Sequence, residues 1–166
     1  MNNLRRLTLG GILTGLSVCV MLIGNLIGVG TYAAPLIAGI LLLPVGMRSG
    51  LKYHITAYLA AGLLSFMLLS DREEALMFLC VFGWYPIARP YLERLKPPLN
   101  WIAKYGLLNL CAIAAETLVV LVIAPETLGL WMILLLLLLS NLTFVIYDRL
   151  LPRMEIILAR RLNIKR

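Results

Sequence analysis

The chain has 166 residues, 61% of them hydrophobic, with a mean hydropathy of +0.93 and a formal charge of +7. That composition is far too apolar for a soluble domain, and six crossings of ~20 apolar residues would use nearly all of it. The basic residues sit at the ends of apolar stretches, where anionic lipid head groups attract them, so the positive charge argues against a nucleic-acid partner.

The first apolar segment, residues 7–27, follows Arg5 and Arg6 and could imitate a signal peptide. Thr31-Tyr32-Ala33 is a poor cleavage site and the run exceeds a usual signal core, so a retained helix is expected. Gly11 and Gly15 give it a small-xxx-small face, open equally to internal packing or to docking of a partner helix. Gly28-Val29-Gly30 then forms an uncharged loop, expected to be flexible enough for residues 28–34 to fold over a bound molecule.

A second span is expected over residues 33–47, with Pro35 in its first turn and Pro44 bending its far end. Arg48 and Lys52 frame the return into a third, residues 51–70, where His54 lies one turn inside the helix and is expected to be interfacial. Asp71-Arg72-Glu73-Glu74 caps the opposite side, and adjacent Glu73 and Glu74 point apart on a helix. The fourth span, residues 74–88, is short, and a polar connection, residues 89–104, leads to the fifth over 105–123. The sixth covers 128–147. Residues 149–166 then form a basic tail whose Met154, Ile157, Leu158 and Leu162 share a helical face after Pro152, as in a helix lying on a lipid surface. That tail is either a topology anchor or a contact for a partner protein.

Fourteen of the fifteen Lys and Arg residues fall on one side of this arrangement, the exception being Arg72. The fold expected is therefore all-α, a six-helix transmembrane bundle over 1–148 with both termini cytoplasmic.

Glu116 is the one carboxylate well inside an expected span, eleven residues beyond Tyr105. At ~1.5 Å per residue it lies near mid-membrane, where an acid costs on the order of 2.5–3.5 kcal/mol on insertion scales and should face the bundle interior or a wet cavity. It is either a ligand contact or a structural acid joining helices. Asn109, on the same face, and Asn141 in the sixth span fit hydrogen bonding between helices better than ligand contact. Asn25, Tyr32 and Ser65 flank the mouth of an expected outer cavity. Cys19, Cys80 and Cys111 have neither disulfide nor metal spacing. The spans place no nucleophile beside a base and no metal cluster, so no enzyme, catalytic residue, cofactor or metal is expected.

Six helices, both ends inside, a glycine-rich outer loop and the Gly11/Gly15 face resemble the S components of energy-coupling factor (ECF) transporters. Phe82-Gly83-Trp84-Tyr85-Pro86-Ile87 followed by Arg89-Pro90-Tyr91-Leu92-Glu93-Arg94 is similar to membrane proteins of this general type. The resemblance implies a subunit in a bacterial cell membrane that captures a vitamin-like micronutrient from outside, closed in by its first loop. It places Asn25, Tyr32 and Glu116 nearest the pocket. It also implies that Gly11 and Gly15 stand where the family has Ala-x-x-x-Ala, docking on a transmembrane coupling subunit. Cytoplasmic ATPase subunits would then drive release, since the chain has no phosphate-binding loop of its own. With Arg72 the only outer cation, a neutral or cationic substrate suits Glu116. The alternative is a small structural or regulatory membrane protein that packs against a larger complex and binds no small molecule.

Overall fold

A computed structural model describes residues 2–28, 30–122 and 130–162. They form helices α1 (Asn3–Ile27), α2 (Gly30–Ser49), α3 (Leu51–Leu68), α4 (Arg72–Met77), α5 (Tyr85–Leu92), α6 (Leu99–Val122) and α7 (Leu130–Arg161), with a π-helical turn, Phe78–Phe82, joining α4 to α5. No strand occurs among the described residues. Six helical segments are long and apolar enough to cross a membrane, the fourth being the composite Arg72–Leu92. An even number of crossings returns the chain to the end it started from. Arg48 of α2 donates to the Leu162 carbonyl at 3.0 Å on that terminal end.

Gly28 takes φ +71° and closes α1 by giving its N–H to the Gly24 and Asn25 carbonyls, a left-handed cap that suits glycine. Gly50, at φ +94°, makes the equally tight turn into α3. Asp71 caps α4 by accepting from the Glu73 N–H at 3.0 Å. The fourth crossing breaks for a local reason. Pro86 has no N–H for the Phe82 carbonyl, which accepts instead from the Tyr147 hydroxyl at 3.1 Å. The Gly83 N–H reaches back five residues to the Phe78 carbonyl at 2.7 Å, the π pattern.

Three expected boundaries differ. The loop expected to cover a cavity is reduced to Gly28 and Val29, because α2 begins at Gly30 and already contains Thr31 and Tyr32; Val29 itself lies outside the described residues. Pro35 therefore stands inside α2 rather than in its first turn. The connection expected over residues 89–104 is helical at both ends, in α5 and in the early part of α6. Nor does a separate tail helix start after Pro152, which lies within α7. Leu151 belongs to the core, and Met154 and Leu158 pack against it.

Two apolar cores meet along α2. One joins α1, α2 and α3 through Val18, Met21, Ala38, Leu42, Ala57 and Ala61, with Phe78 closing it. The other joins α2 and the composite crossing to α6 and α7 through Leu43, Phe82, Tyr85, Leu108, Phe144 and Tyr147. Its rings pack edge to face, Tyr85 with Phe144 at 4.7 Å and Phe82 with Tyr147 at 5.6 Å between centroids. The outside is apolar too. Leu59, Leu63, Met67, Leu135, Leu138 and Leu142 are all exposed, a pattern that suits lipid rather than water.

Candidate functional site

The end opposite the termini gathers acids. Glu116 reaches it from α6, Glu73 and Glu74 from the first turn of α4, Tyr32 from the start of α2 and Asn25 from the last turn of α1. Glu116 is 4% exposed, and neither of its carboxylate oxygens has a hydrogen-bond partner among the described residues. Glu73 and Tyr32 both lie within electrostatic range of it. The Tyr32 hydroxyl donates to the Leu136 carbonyl at 3.5 Å, tying α2 to α7. Glu74 is 1% exposed with Oε1 unpartnered, and the Asn25 side chain stands beside its carboxyl group. Ser65, in the last turn of α3, is fully buried with an unpartnered hydroxyl.

None of these three glutamates has an ion pair among the described residues. Arg72 is exposed and its guanidinium lies over the Phe66 ring at 5.7 Å. Buried carboxyl groups without a cation are costly as anions. They hold a proton, or they accept from a donor or cation brought to them.

The other expected contacts have different surroundings. Asn109 and Asn141 bond each other reciprocally, at 3.1 and 2.7 Å, and each also donates to the carbonyl four residues back, at 2.8 Å. All the amide donors are thereby used, and the pair is a clasp between α6 and α7. Gly11 and Gly15 are exposed on α1, and a Cβ added at either would meet nothing within 4 Å. The face of α1 turned inward is instead that of Thr14 and Ser17, which donate to the Ala57 and Ala38 carbonyls at 3.5 and 3.2 Å.

Polar clustering at the terminal end was missed by sequence reasoning. Lys104 of α6 donates to both oxygens of Asp148 of α7 at 3.0 and 3.2 Å. Arg89 of α5 pairs with Glu93 at 2.6 Å, Glu155 at 3.4 Å and Asp148 at 3.5 Å, and the Tyr85 hydroxyl also donates to Asp148. Arg89 and Lys104 are 7% and 4% exposed, so they are core residues rather than interfacial cations. The i,i+4 spacing of Arg89 and Glu93 was the one signal in the sequence that could have shown part of this cluster. His54, in the first turn of α3, is 4% exposed, with its ring packed on the α2 backbone at Gly46.

Comparison of the chain with protein-family models, with curated proteins and with solved structures finds no match.

Proposed function

We propose that this chain is the membrane-embedded substrate-binding subunit of an ECF-type uptake transporter, an S component of a bacterial cell membrane. The observation that carries the reading is Glu116, buried, without a hydrogen-bond partner among the described residues and grouped with Glu73, Glu74, Tyr32 and Asn25 at the end opposite the termini. By the positive-inside rule that end faces outward. An acceptor-rich site without a resident cation suits a small cationic molecule, or a neutral one rich in donors. Its polar N–H or O–H groups would take the acceptor positions left open by Glu116 and Ser65. With α2 starting at Gly30, closure over such a molecule falls to the helix ends at Asn25 and Tyr32 rather than to a long loop.

Gly11 and Gly15 support the second half of the reading. They present an exposed, side-chain-free stripe on α1 where a second helix can approach its backbone closely. That stripe is assigned to docking on the coupling subunit.

Cross-linked affinity purification from native membranes tests the assignment. A transmembrane coupling protein and a pair of ATPases are expected to co-elute, and Gly11→Leu with Gly15→Leu should release them. Glu116→Gln should leave the assembly intact while abolishing uptake. Recovery of the chain with a larger complex that lacks ATPases would favour the alternative, a structural membrane subunit. The Asn109–Asn141 clasp and the ion cluster at the terminal end fit that reading equally, because both harden the bundle.

A further inference from the structure

A half-open cavity of about 350 Å³ lies at the terminal end, between α2, the start of α3, α5 and α7. Leu43, Met47 and Ile87 supply apolar wall. His54, Glu155 and the Tyr91 phenol are the ionisable side chains in its lining. The Nε2 atom of His54 is buried without a hydrogen-bond partner among the described residues. Pro86 and Pro90 also line the cavity. Pro90 has no N–H to give the Pro86 carbonyl four residues back, so the wall contains a backbone acceptor released from the helix ladder.

Three basic residues at this end are already engaged, one of them with Glu155 of the wall. Arg89 pairs with Glu93, Asp148 and Glu155, Arg94 lies over the Tyr91 ring at 5.4 Å, and Arg48 donates to the Leu162 carbonyl. None of the three lines the cavity. An anion entering it would meet the Glu155 carboxylate and a carbonyl, with no Lys or Arg among the described lining residues. An alkyl group alone would leave the imidazole unpartnered.

We propose that this cavity is a second binding site, separate from the acidic end, for a primary ammonium group carried on a short apolar chain. The ammonium donates to the Glu155 carboxylate and to the neutral His54 imidazole, an ion paired inside a partly desolvated wall. The chain lies against Leu43 and Met47. Glu155 keeps its bond to Arg89, because a carboxylate accepts several donors at once. Such chemistry can come from the ethanolamine head of a phospholipid at the membrane surface or from a free amine.

His54 is the only histidine in the chain, so isotope labelling at histidine gives a single imidazole signal to follow by NMR. The full chain in phosphatidylcholine nanodiscs is titrated with hexylamine, hexanoate and hexanol at a pH where the amine is protonated. A saturable shift with hexylamine, absent with hexanoate, is expected. Glu155→Gln should weaken it at least tenfold, and Met47→Trp, which narrows the cavity without touching either polar group, at least fivefold. Discs containing phosphatidylethanolamine separate the sources. If the signal is already shifted there and hexylamine no longer moves it, the lipid head is the occupant; if the titration is unchanged, a free amine is. The proposal is overturned if hexanol shifts the signal as hexylamine does, if hexanoate binds and hexylamine does not, or if both variants bind hexylamine like the parent chain.

Discussion

Lys104→Met isolates the most consequential contact at the terminal end. The lysine side chain is 5% exposed and its partner Asp148 is 14% exposed. The cluster holds two cations, Arg89 and Lys104, against three carboxylates, Glu93, Asp148 and Glu155, a formal net charge of −1. Removing Lys104 takes these five residues to −2, with Arg89 the one cation left among them. Breaking a buried pair from one side costs about 3–5 kcal/mol, whereas replacing both partners with apolar residues of similar volume is close to neutral. Lys104→Met is therefore expected to cost about 3–5 kcal/mol, which for a chain of this length lowers Tm by roughly 6–20 °C. Asp148→Leu should be comparably damaging, since it also strips the acceptor from the Tyr85 hydroxyl. The double variant restores the charge to −1, and adding Tyr85→Phe removes the orphaned hydroxyl, so that only the Arg89 Nε atom loses its carboxylate acceptor. Its stability should lie within about 2 kcal/mol of the parent, a coupling energy of about 4 kcal/mol or more. Unfolding in mixed micelles, followed through Trp84 and Trp101 fluorescence, measures the cycle. If Lys104→Met shifts stability by less than about 1 kcal/mol, or if the single losses simply add, the cluster is solvated and the reasoning fails.

Other substitutions probe the remaining contacts. Asn109→Leu should cost about 0.6–1.7 kcal/mol, and Asn109→Leu with Asn141→Leu less than the sum of the two singles, read from the same unfolding curves. Tyr147→Phe leaves the Phe82 carbonyl without a donor at the π turn and should cost about 1–3 kcal/mol; an unchanged melting curve would mean that the carbonyl finds another donor. At Gly39 a Cβ would collide with the Tyr147 hydroxyl and stand 3.0 Å from the Phe82 carbonyl. Gly39→Ala should therefore lose about 1–3 kcal/mol through overpacking, whereas Gly11→Ala, facing open space, should leave thermal stability unchanged.

Which parts of this molecule the sequence disclosed follows from geometry. Apolar run length encodes a crossing directly, so all six were legible. The long Leu134–Leu139 run read as lipid-facing, and four of those six leucines are exposed. Boundaries were less legible where a charge is neutralised by a distant partner. Lys104 bounds an apolar run in the sequence, yet α6 continues through it because Asp148, 44 residues on, accepts its ammonium. Arg89 and Glu155 are 66 residues apart. No local window connects such residues, and a count of basic residues by side registers height along the membrane normal but not which way a side chain turns. The same blindness to azimuth left Gly11 and Gly15 undecided between packing and exposure until α1 was seen to turn Thr14 and Ser17 inward.

Glu116 was legible for the opposite reason, being an acid with no charged residue near it in the sequence. Its surroundings could not be read, because they are assembled from the ends of α1, α2, α4 and α6. The two ends of the bundle thus treat buried acids in different ways. At the terminal end Arg89 and Lys104 hold Asp148 and Glu155 in pairs, which fixes α5, α6 and α7 against one another. At the opposite end Glu74 and Glu116 are more deeply buried, and neither has an ion pair among the described residues. A stability role alone would be served by an Asn or Gln at either position, since an amide satisfies neighbours without the cost of burying a charge. Retaining carboxyl groups there makes physical sense if something cationic or proton-donating visits them. On the proposed reading the acidic end is where a molecule arrives, whereas the ion cluster at the terminal end holds α5, α6 and α7 in register.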